Sequence, residues 1–207
     1  MTDTLPGPGG RLDPMLVRRL GERAELRSRT IVLIGPMAAG KSYLGLHLCK
    51  MYGYRYIDAD QLIVARHGAI SEIFSRLGEP GFRRIEADTI ESVLKDPVNT
   101  GVVLSLGGGA PMTARVRRLL RDEIVVYLSI DEQTVAPRIR NNTTRPILQP
   151  HPVQRWREIY AQRRSVYESL ADITVDASGD PGIRVLAERT HRGILALHRG
   201  TAPTERN

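Results

Sequence analysis

The sequence predicts an α/β protein of three layers, in which helices cover both faces of a five-stranded, mostly parallel sheet. Five short apolar runs typical of buried strands alternate with longer segments of helical periodicity. The runs are Ile31–Ile34, Tyr54–Ile57, Val102–Leu106, Ile124–Leu128 and Ile173–Val175. A glycine-rich turn follows the first run and leads directly into a helical segment. Because no repeat or linker divides the chain, we expect one domain over residues 30–198.

The turn after the first strand has the spacing of a P-loop. From Gly35 the segment GPMAAGKS matches the pattern G-x-x-x-x-G-K-S/T, with Gly40, Lys41 and Ser42 at the last three defined positions. Backbone N–H groups in such a loop point at phosphate oxygens, and the dipole of the following helix favours negative charge. Lys41 is expected to reach the outer phosphates and the Ser42 hydroxyl to hold Mg²⁺. The motif therefore predicts a nucleotide site, against the alternative of an ordinary turn with a solvated lysine.

Composition is that of a globular domain. The chain has 207 residues, of which 41% are apolar and 26% are charged. No apolar run approaches the length of a membrane span, and the N-terminus lacks the layout of a signal peptide, so we expect a cytoplasmic protein without membrane contact. The single cysteine, Cys49, excludes an internal disulfide and falls among apolar residues of the first helix, where we expect it to be buried.

The net charge of +7 raises the question of nucleic-acid binding. The arginines are spread along the chain rather than gathered in one run, and aromatic residues, at 5%, offer few platforms for base stacking. Anionic small molecules account for the positive charge equally well, so we expect no nucleic-acid partner.

Two acidic residues end the second predicted strand, on the same edge of the sheet as the P-loop. Asp58 and Asp60 follow that strand directly, and ligands of open α/β sheets bind at the carboxyl ends of strands. A D-x-D at this place is equally common as a helix N-cap. Arg83 and Glu86 stand three residues apart on one helix face, where the acid can orient the guanidinium, although this spacing alone favours a surface ion pair.

Two further segments suggest a ligand site. Three successive glycines, Gly107, Gly108 and Gly109, end the third predicted strand and either allow a close approach of other atoms or form a flexible turn. Residues 141–152 are polar, contain three prolines and have no periodic apolar face. They are typical of a mobile lid, with Arg145 as its central charge.

Both ends of the chain lie outside the predicted domain. Residues 1–29 begin with a segment rich in proline and glycine and continue with helical spacing, so we expect a disordered or partly helical extension. Residues 199–207 are polar and are expected to be a flexible tail. Neither segment carries a recognisable chemical motif.

The order of the motifs resembles the shikimate kinase family. Along the chain stand the P-loop, D-x-D, F-R-x-x-E, G-G-G, R-P-x-L and R-x-x-Y, and connecting text such as YIDADQLI and GEPGFRRIE adds to the likeness. The resemblance covers roughly residues 30–197. It implies a nucleoside-monophosphate-kinase-like P-loop fold with a mobile lid. It also implies an ATP-dependent kinase that phosphorylates the 3-hydroxyl of shikimate in aromatic amino acid biosynthesis. Separately, we expect the protein to be a monomer.

The resemblance implies a set of residues for ATP and Mg²⁺. Lys41 and the loop backbone would bind the phosphates, Arg145 would neutralise the transferring phosphoryl group, and Arg138 would flank the adenine. Ser42 would bind the metal directly and Asp58 would support it through water. The implied ATP-binding residues are Ala38, Ala39, Gly40, Lys41, Ser42, Tyr43, Arg138 and Arg145. The chain departs from the family at Ala38, where glycine is usual.

The resemblance also implies an acceptor site. Asp60 would take the hydrogen bond of the attacking hydroxyl and is the candidate for its proton. Arg83, from F-R-x-x-E, and Arg164, from R-S-V-Y, would grip the shikimate carboxylate with forked donors that lysine lacks. The glycines Gly107, Gly108 and Gly109 would lie against the ring. The implied catalytic residues are Lys41, Asp60 and Arg145.

Two alternatives remain at this stage. The first is a related P-loop kinase that acts on another carbocycle or on gluconate; a substrate without a carboxylate would leave Arg83 and Arg164 without a purpose. The second is a nucleotide- or nucleic-acid-binding protein without turnover. Asp60, Arg145 and Arg164 disfavour it, because a protein that only binds needs none of them.

Overall fold

The five predicted strands form one parallel sheet. The computed structural model describes residues 29–140, 148 and 150–199. The strands are β1 (Ile31–Ile34), β2 (Tyr56–Asp58), β3 (Val103–Ser105), β4 (Ile124–Ser129) and β5 (Ile173–Asp176), in the spatial order β2-β3-β1-β4-β5. All neighbours pair in parallel, and Val32 of β1 is level with Leu104 on one side and Val125 on the other. The predicted fold class is confirmed.

Seven α-helices occur in the part of the chain that the structure describes. They are α1 (Lys41–Tyr52), α2 (Ala59–His67), α3 (Ile70–Leu94), α4 (Ala114–Leu119), α5 (Glu132–Ile139), α6 (Pro152–Leu170) and α7 (Ile183–His198). The helices supply the crossovers that parallel strands require. None of these helices has the length and apolar character to cross a bilayer.

Side chains of β1 alternate between two cores, because successive residues of a strand face opposite sides of the sheet. Ile31 and Leu33 pack with residues of α1, α5, α6 and α7, whereas Val32 and Ile34 pack mainly with residues of α3 and α4. All four side chains are fully buried. The turn that follows β1 therefore starts from the most enclosed strand of the sheet.

The helical segment over residues 59–94 contains one break and one kink. α2 ends at His67, and Gly68, with a φ of 86°, follows as its cap. The kink lies inside α3 at Gly78, where φ is 66° and ψ is 179°. The chain returns to helix after the kink and carries the F-R-x-x-E motif on regular turns.

The predicted extension, lid and tail fall largely on residues that the structure does not describe. Of the extension over residues 1–29, Arg29 is described, and its guanidinium donates to the carbonyl oxygens of Asp122 and Glu123. Of the lid over residues 141–152, Leu148 is buried in the core, and Pro152 already begins α6. Beyond Arg199, the tail lies outside the described residues.

The buried side of α1 corrects one expectation. Leu44, Gly45 and Leu48 are buried, whereas Cys49 is exposed, so the predicted burial of the cysteine is wrong. One residue along a helix turns the side chain by about 100°, which carries Cys49 off the face that Leu48 occupies. Gly45 has a packing reason to be glycine, because a Cβ atom there would lie 2.1 Å from the ring of Tyr56.

We predict that Gly45→Ala destabilises the protein. Alanine in a helix is normally favoured over glycine by about 1 kcal/mol. Here the added methyl group would collide with the ring of Tyr56, and overpacking of this kind costs about 1 to 3 kcal/mol. Urea titration should therefore give a lower free energy of unfolding. Leu46→Ala, on the exposed side of the same helix, is the control and should change stability little; an unchanged or more stable Gly45→Ala protein would contradict the packing argument.

Candidate active site

The polar residues predicted along the sequence meet at the carboxyl edge of the sheet. The P-loop (residues 35–42) follows β1, Asp58 ends β2, and the three glycines follow β3, so they come from three adjacent strands. These segments border a cleft with a volume of about 660 Å³. Its wall includes residues 37–43, Asp58, Asp60, Gly107 and Gly108, together with Arg138, Asp180, Ile183 and Leu186.

The P-loop has the turned conformation that its glycines predict. Gly35 and Gly40 have φ angles of 139° and 101°, and a Cβ atom at Gly35 would lie 2.4 Å from the carbonyl oxygen of Leu128. Lys41, the first residue of α1, is 8% exposed and donates from Nζ to the carbonyl oxygens of Gly35 and Pro36, at 2.9 Å each. The ammonium group is therefore held inside the loop, at the end of α1 where the helix dipole favours an anion.

Ala38 is one of two non-glycine residues with a positive φ in the described ranges, and Asp180 is the other. Its φ of 64° lies in the left-handed region, which costs an alanine roughly 1 kcal/mol. This geometry explains why glycine suits the position and shows that the methyl group is accommodated. Arg138 contacts both residues: Nη1 donates to the carbonyl oxygen of Ala38 at 3.2 Å, and Nη2 donates to Oδ1 of Asp180 at 2.9 Å.

Asp58 accepts hydrogen bonds from three parts of the chain. Its Oδ2 accepts from the hydroxyls of Ser42, at 2.7 Å, and Tyr56, at 2.9 Å. Its Oδ1 accepts from the backbone N–H groups of Asp60 and Gln61 and so caps α2. Both interpretations of the D-x-D motif therefore apply to Asp58, which is a helix cap and also lies beside the P-loop serine.

The oxygens of Ser42 and Asp58 are suited to Mg²⁺. A hydroxyl and a carboxylate oxygen stand 2.7 Å apart on the wall of the cleft. Mg²⁺ prefers oxygen ligands and usually keeps several waters and substrate phosphates, so it needs few groups from the protein. The described residues contain no cluster of three or more His, Cys, Asp or Glu side chains that could hold a metal by themselves. The donor set fits a metal that arrives with phosphates.

Asp60 is half-buried and lies against the glycine turn. A Cβ atom at Gly107 would lie 2.9 Å from Oδ1 of Asp60. Burial raises the pKa of Asp60, and the nearby Asp58 raises it further, whereas Lys41 and Arg83 lower it. A carboxylate with a raised pKa is a stronger base, which suits a group that receives a proton.

Arg83 and Glu86 form an ion pair with a buried carboxylate and a half-buried guanidinium, rather than the surface pair that their spacing alone favours; Arg83 also donates to the exposed Glu79. Glu86 is 1% exposed, and its Oε2 accepts from Nη1 of Arg83 at 2.7 Å. Cβ atoms at Gly107 and Gly109 would lie 3.0 Å from Oε1 of Glu86 and 2.2 Å from Nη2 of Arg83. The ion pair therefore packs directly on the glycine turn, where any side chain would displace it. Burial raises the pKa of Glu86 to about 7, although Arg83 acts in the opposite direction.

Arg164 does not join this group. Its side chain is 63% exposed, and its Nε donates to Oε1 of Glu168 at 2.7 Å on the outer face of α6. The preceding residue, Arg163, is half-buried and lies close enough to Glu86 and Tyr167 to lower the pKa of both groups. On this turn of α6, which carries the R-x-x-Y motif, the arginine that lies toward Glu86 is therefore Arg163 and not Arg164, because adjacent residues of a helix point about 100° apart.

Tyr167, the last residue of the same motif, is a site residue that the sequence analysis did not select. Its hydroxyl donates to the carbonyl oxygen of Gly108, and its side chain is fully buried. Burial raises its pKa to about 12. Its presence in the motif was the available signal. Tyr167 fixes the middle of the glycine turn from the side of α6.

The remaining predicted ATP residues divide into three cases. Ala39 is buried, and Gly40 lines the cleft beside the guanidinium of Arg138. Tyr43 lines the cleft, but its side chain is 57% exposed. Arg145 lies outside the described residues.

Comparisons with known proteins agree on one family. A family model described as shikimate kinase matches residues 37–192. The shikimate kinase of Streptomyces coelicolor is 41% identical over 150 residues, which are 72% of this chain and 86% of that protein. The solved shikimate kinase of Acinetobacter baumannii, in complex with shikimate, has a TM-score of 0.77 and 32% identity and covers 85% of this chain and 98% of its own.

One solved structure is relevant to the alternative in which gluconate is the acceptor. A gluconokinase of Sinorhizobium meliloti has a TM-score of 0.53 and 16% identity and covers 87% of this chain and 99% of its own. At that identity the likeness extends to the fold alone.

Glu86 should make stability depend on pH. Its pKa of about 7 in the folded protein lies above the ordinary value of 4.5. Between these values the folded protein keeps the proton and the unfolded chain has lost it, so the free energy of unfolding falls as pH rises from 4.5 to 7. We expect a fall of about 3 kcal/mol from this group. Urea titrations across this range should show that Glu86→Gln, which does not titrate, abolishes the fall.

The control for this experiment is Glu72→Gln, on the exposed surface of α3. It should keep the pH dependence of the natural protein. If Glu86→Gln also keeps it, Glu86 is ionised throughout the range and the assignment of its pKa is wrong.

Proposed function

The chain belongs to the shikimate kinase family, and on that premise we propose that Lys41, Asp60 and the Arg83–Glu86 pair carry its reaction. The chain is an ATP-dependent small-molecule kinase that phosphorylates the 3-hydroxyl of shikimate. The resemblance seen in the order of the motifs is thereby confirmed. One observation supports this assignment of residues. Asp60 lines the P-loop cleft, and it also contacts the glycine turn on which the Arg83–Glu86 pair packs.

ATP binds with its phosphates on the P-loop in this proposal. Lys41 and the backbone N–H groups of residues 38–43 bind the phosphate oxygens, and Arg138 flanks the adenine beside Ile183 and Leu186 on the cleft wall. Ser42 and Asp58 would hold Mg²⁺, in keeping with their oxygens on the cleft wall. When bound, Mg²⁺ would offset negative charge on the phosphates. Arg145, from the predicted lid, is assigned the role of neutralising the charge of the transferring phosphoryl group.

Shikimate binds on the other side of Asp60. Its 3-hydroxyl donates a hydrogen bond to the Asp60 carboxylate, and its ring lies on the turn from Gly107 to Gly109. Arg83, held in one direction by Glu86, and Arg163 provide the forked donors that a carboxylate requires. We assign to Arg163 the role that the sequence analysis gave to Arg164.

The transfer is a single displacement. The 3-hydroxyl oxygen forms a bond to the γ-phosphorus while the bond from that phosphorus to the oxygen of the ADP leaving group breaks. The hydroxyl proton passes to Asp60, whose raised pKa makes it a better acceptor than an exposed aspartate. Positioning of the reactants and compensation of charge on the phosphoryl oxygens account for most of the rate enhancement in such a transfer.

The remaining expectations join this proposal. We propose that the enzyme acts as a monomer in the cytoplasm and binds neither nucleic acid nor membranes. Supporting this, several exposed arginines of α6 are already paired with carboxylates: Arg155 with Glu158, Arg157 with Glu132 and Arg164 with Glu168.

ADP release from Mg·ATP tests the activity. We expect strong stimulation by shikimate and little by quinate, gluconate or the absence of an acceptor. Lys41→Ala should lose the stimulated rate, because the phosphates lose their fixed cation, while circular dichroism shows a folded protein. Equal rates with all acceptors would refute the acceptor assignment, and full activity of Lys41→Ala would refute the role of the P-loop.

A matched pair of variants tests the assignment of the arginine. Arg163→Lys replaces a forked donor by a point charge, and we expect the KM for shikimate to rise about tenfold, equivalent to about 1.4 kcal/mol, with little change in the KM for ATP. Arg164→Lys removes only an exposed pair with Glu168 and should change both constants by less than twofold. The reverse result would restore Arg164 to the site.

A further inference from the structure

Four successive carbonyl oxygens of the P-loop each accept a hydrogen bond from a side chain. Those of Gly35 and Pro36 accept from Lys41, that of Met37 accepts from Nε1 of Trp156 at 3.0 Å, and that of Ala38 accepts from Nη1 of Arg138 at 3.2 Å. Lys41 and Arg138 already have roles at ATP. Trp156 has none, because its side chain is 2% exposed and is absent from the cleft wall.

The hydrogen bond from Trp156 to the carbonyl of Met37 also affects Ala38, because the two residues share one peptide bond. In a planar trans peptide, the C=O of one residue and the N–H of the next point in opposite directions. A donor that holds the carbonyl of Met37 therefore also fixes the direction of the N–H of Ala38. Ala38 is the residue whose φ of 64° is unfavourable for alanine, so its peptide needs an external restraint more than a glycine would at this position.

We propose that Trp156 is a positioning residue for ATP binding, whose indole N–H holds the Met37–Ala38 peptide in the orientation that receives phosphate. Together with Arg138, which holds the next peptide, it compensates for the unfavourable φ of Ala38. The proposal rests on the proposed function, because it concerns the ATP side of the same cleft.

The surroundings of Trp156 separate this role from ordinary packing. The indole ring lies in the core, with its centroid 4.8 Å from that of Tyr160, and packing of this kind requires only an aromatic ring. The N–H is the one polar atom of the side chain, and at this depth it needs a partner. Removing the N–H while keeping a ring would leave the carbonyl of Met37 without its donor and free the peptide to rotate.

Trp156→Phe tests the proposal by steady-state kinetics. Loss of a buried hydrogen bond corresponds to a fivefold to tenfold change, so we expect the KM for ATP to rise by about that factor while the KM for shikimate stays within twofold. Tyr54→Phe is the matched control. It removes the partly buried hydrogen bond between the Tyr54 hydroxyl and Nδ1 of His191, which lies beyond the end of α1 that is far from the P-loop. It should lower stability without changing the KM for ATP.

A second measurement guards against loss of packing in Trp156→Phe. The chain contains one tryptophan, so growth with benzothienylalanine, in which sulfur replaces the indole N–H, changes this one site. The substituted protein keeps the two-ring shape and should show the same rise in the KM for ATP. Ala38→Gly in the Trp156→Phe background should recover part of the loss, because glycine accepts this φ without strain.

The outcomes distinguish this inference from the proposed function. If the natural protein turns over shikimate and both tryptophan replacements leave the KM for ATP unchanged, the positioning role is refuted and the proposed function stands. If the KM values for ATP and shikimate rise together, Trp156 acts through packing alone and the inference is also refuted. If the natural protein releases no ADP with shikimate, the proposed function itself fails.

Discussion

The carboxylate of Asp58 connects the parts of the site that must stay in register. It ends β2, caps α2 through the backbone N–H groups of Asp60 and Gln61, and accepts from the hydroxyl of Ser42 at the start of α1. The cap fixes where α2 begins, and hence where Asp60 stands. The contact with Ser42 fixes the distance from that helix to the P-loop. One side chain thus sets the spacing between the phosphate side and the acceptor side of the cleft.

The second constraint is the turn after β3, where the absence of side chains on its glycines leaves room for neighbouring residues. Asp60 and Glu86 pack on Gly107, and Arg83 packs on Gly109. They lie so close that a Cβ atom at either glycine would collide with them. Burying Arg83 with Glu86 costs desolvation, which their attraction repays only in part, so the pair is poorly explained as a source of stability. It is better explained as a means of holding a forked donor in one direction. Tyr167 completes the arrangement by bonding to the carbonyl of Gly108.

Much of this fold could be predicted because its signals are local. Buried strands, glycine turns and the P-loop spacing depend on neighbouring residues, and all five strands were predicted to within two residues of their observed bounds. Local patterns did not predict which side of a helix a residue occupies or how deeply a residue is buried. Cys49 was placed on the wrong face of α1, and the arginine of α6 that lies toward Glu86 is Arg163 rather than Arg164; in both cases one residue along a helix turns the side chain by about 100°. The burial of Glu86 and the contact of Trp156 with Met37, 119 positions apart, depend on tertiary packing, which no local pattern encodes.

In the proposed reaction, a carboxylate that receives a proton beside ATP must satisfy two opposing requirements. The phosphates are anionic and disfavour an ionised carboxylate nearby, whereas a carboxylate surrounded only by cations would be too weak a base. Asp60 lies between these limits, because Lys41 and Arg83 lower its pKa while burial and Asp58 raise it. The two cations oppose the protonation that burial and Asp58 favour. This balance depends on position, which the cap at Asp58 and the absent side chain of Gly107 together determine.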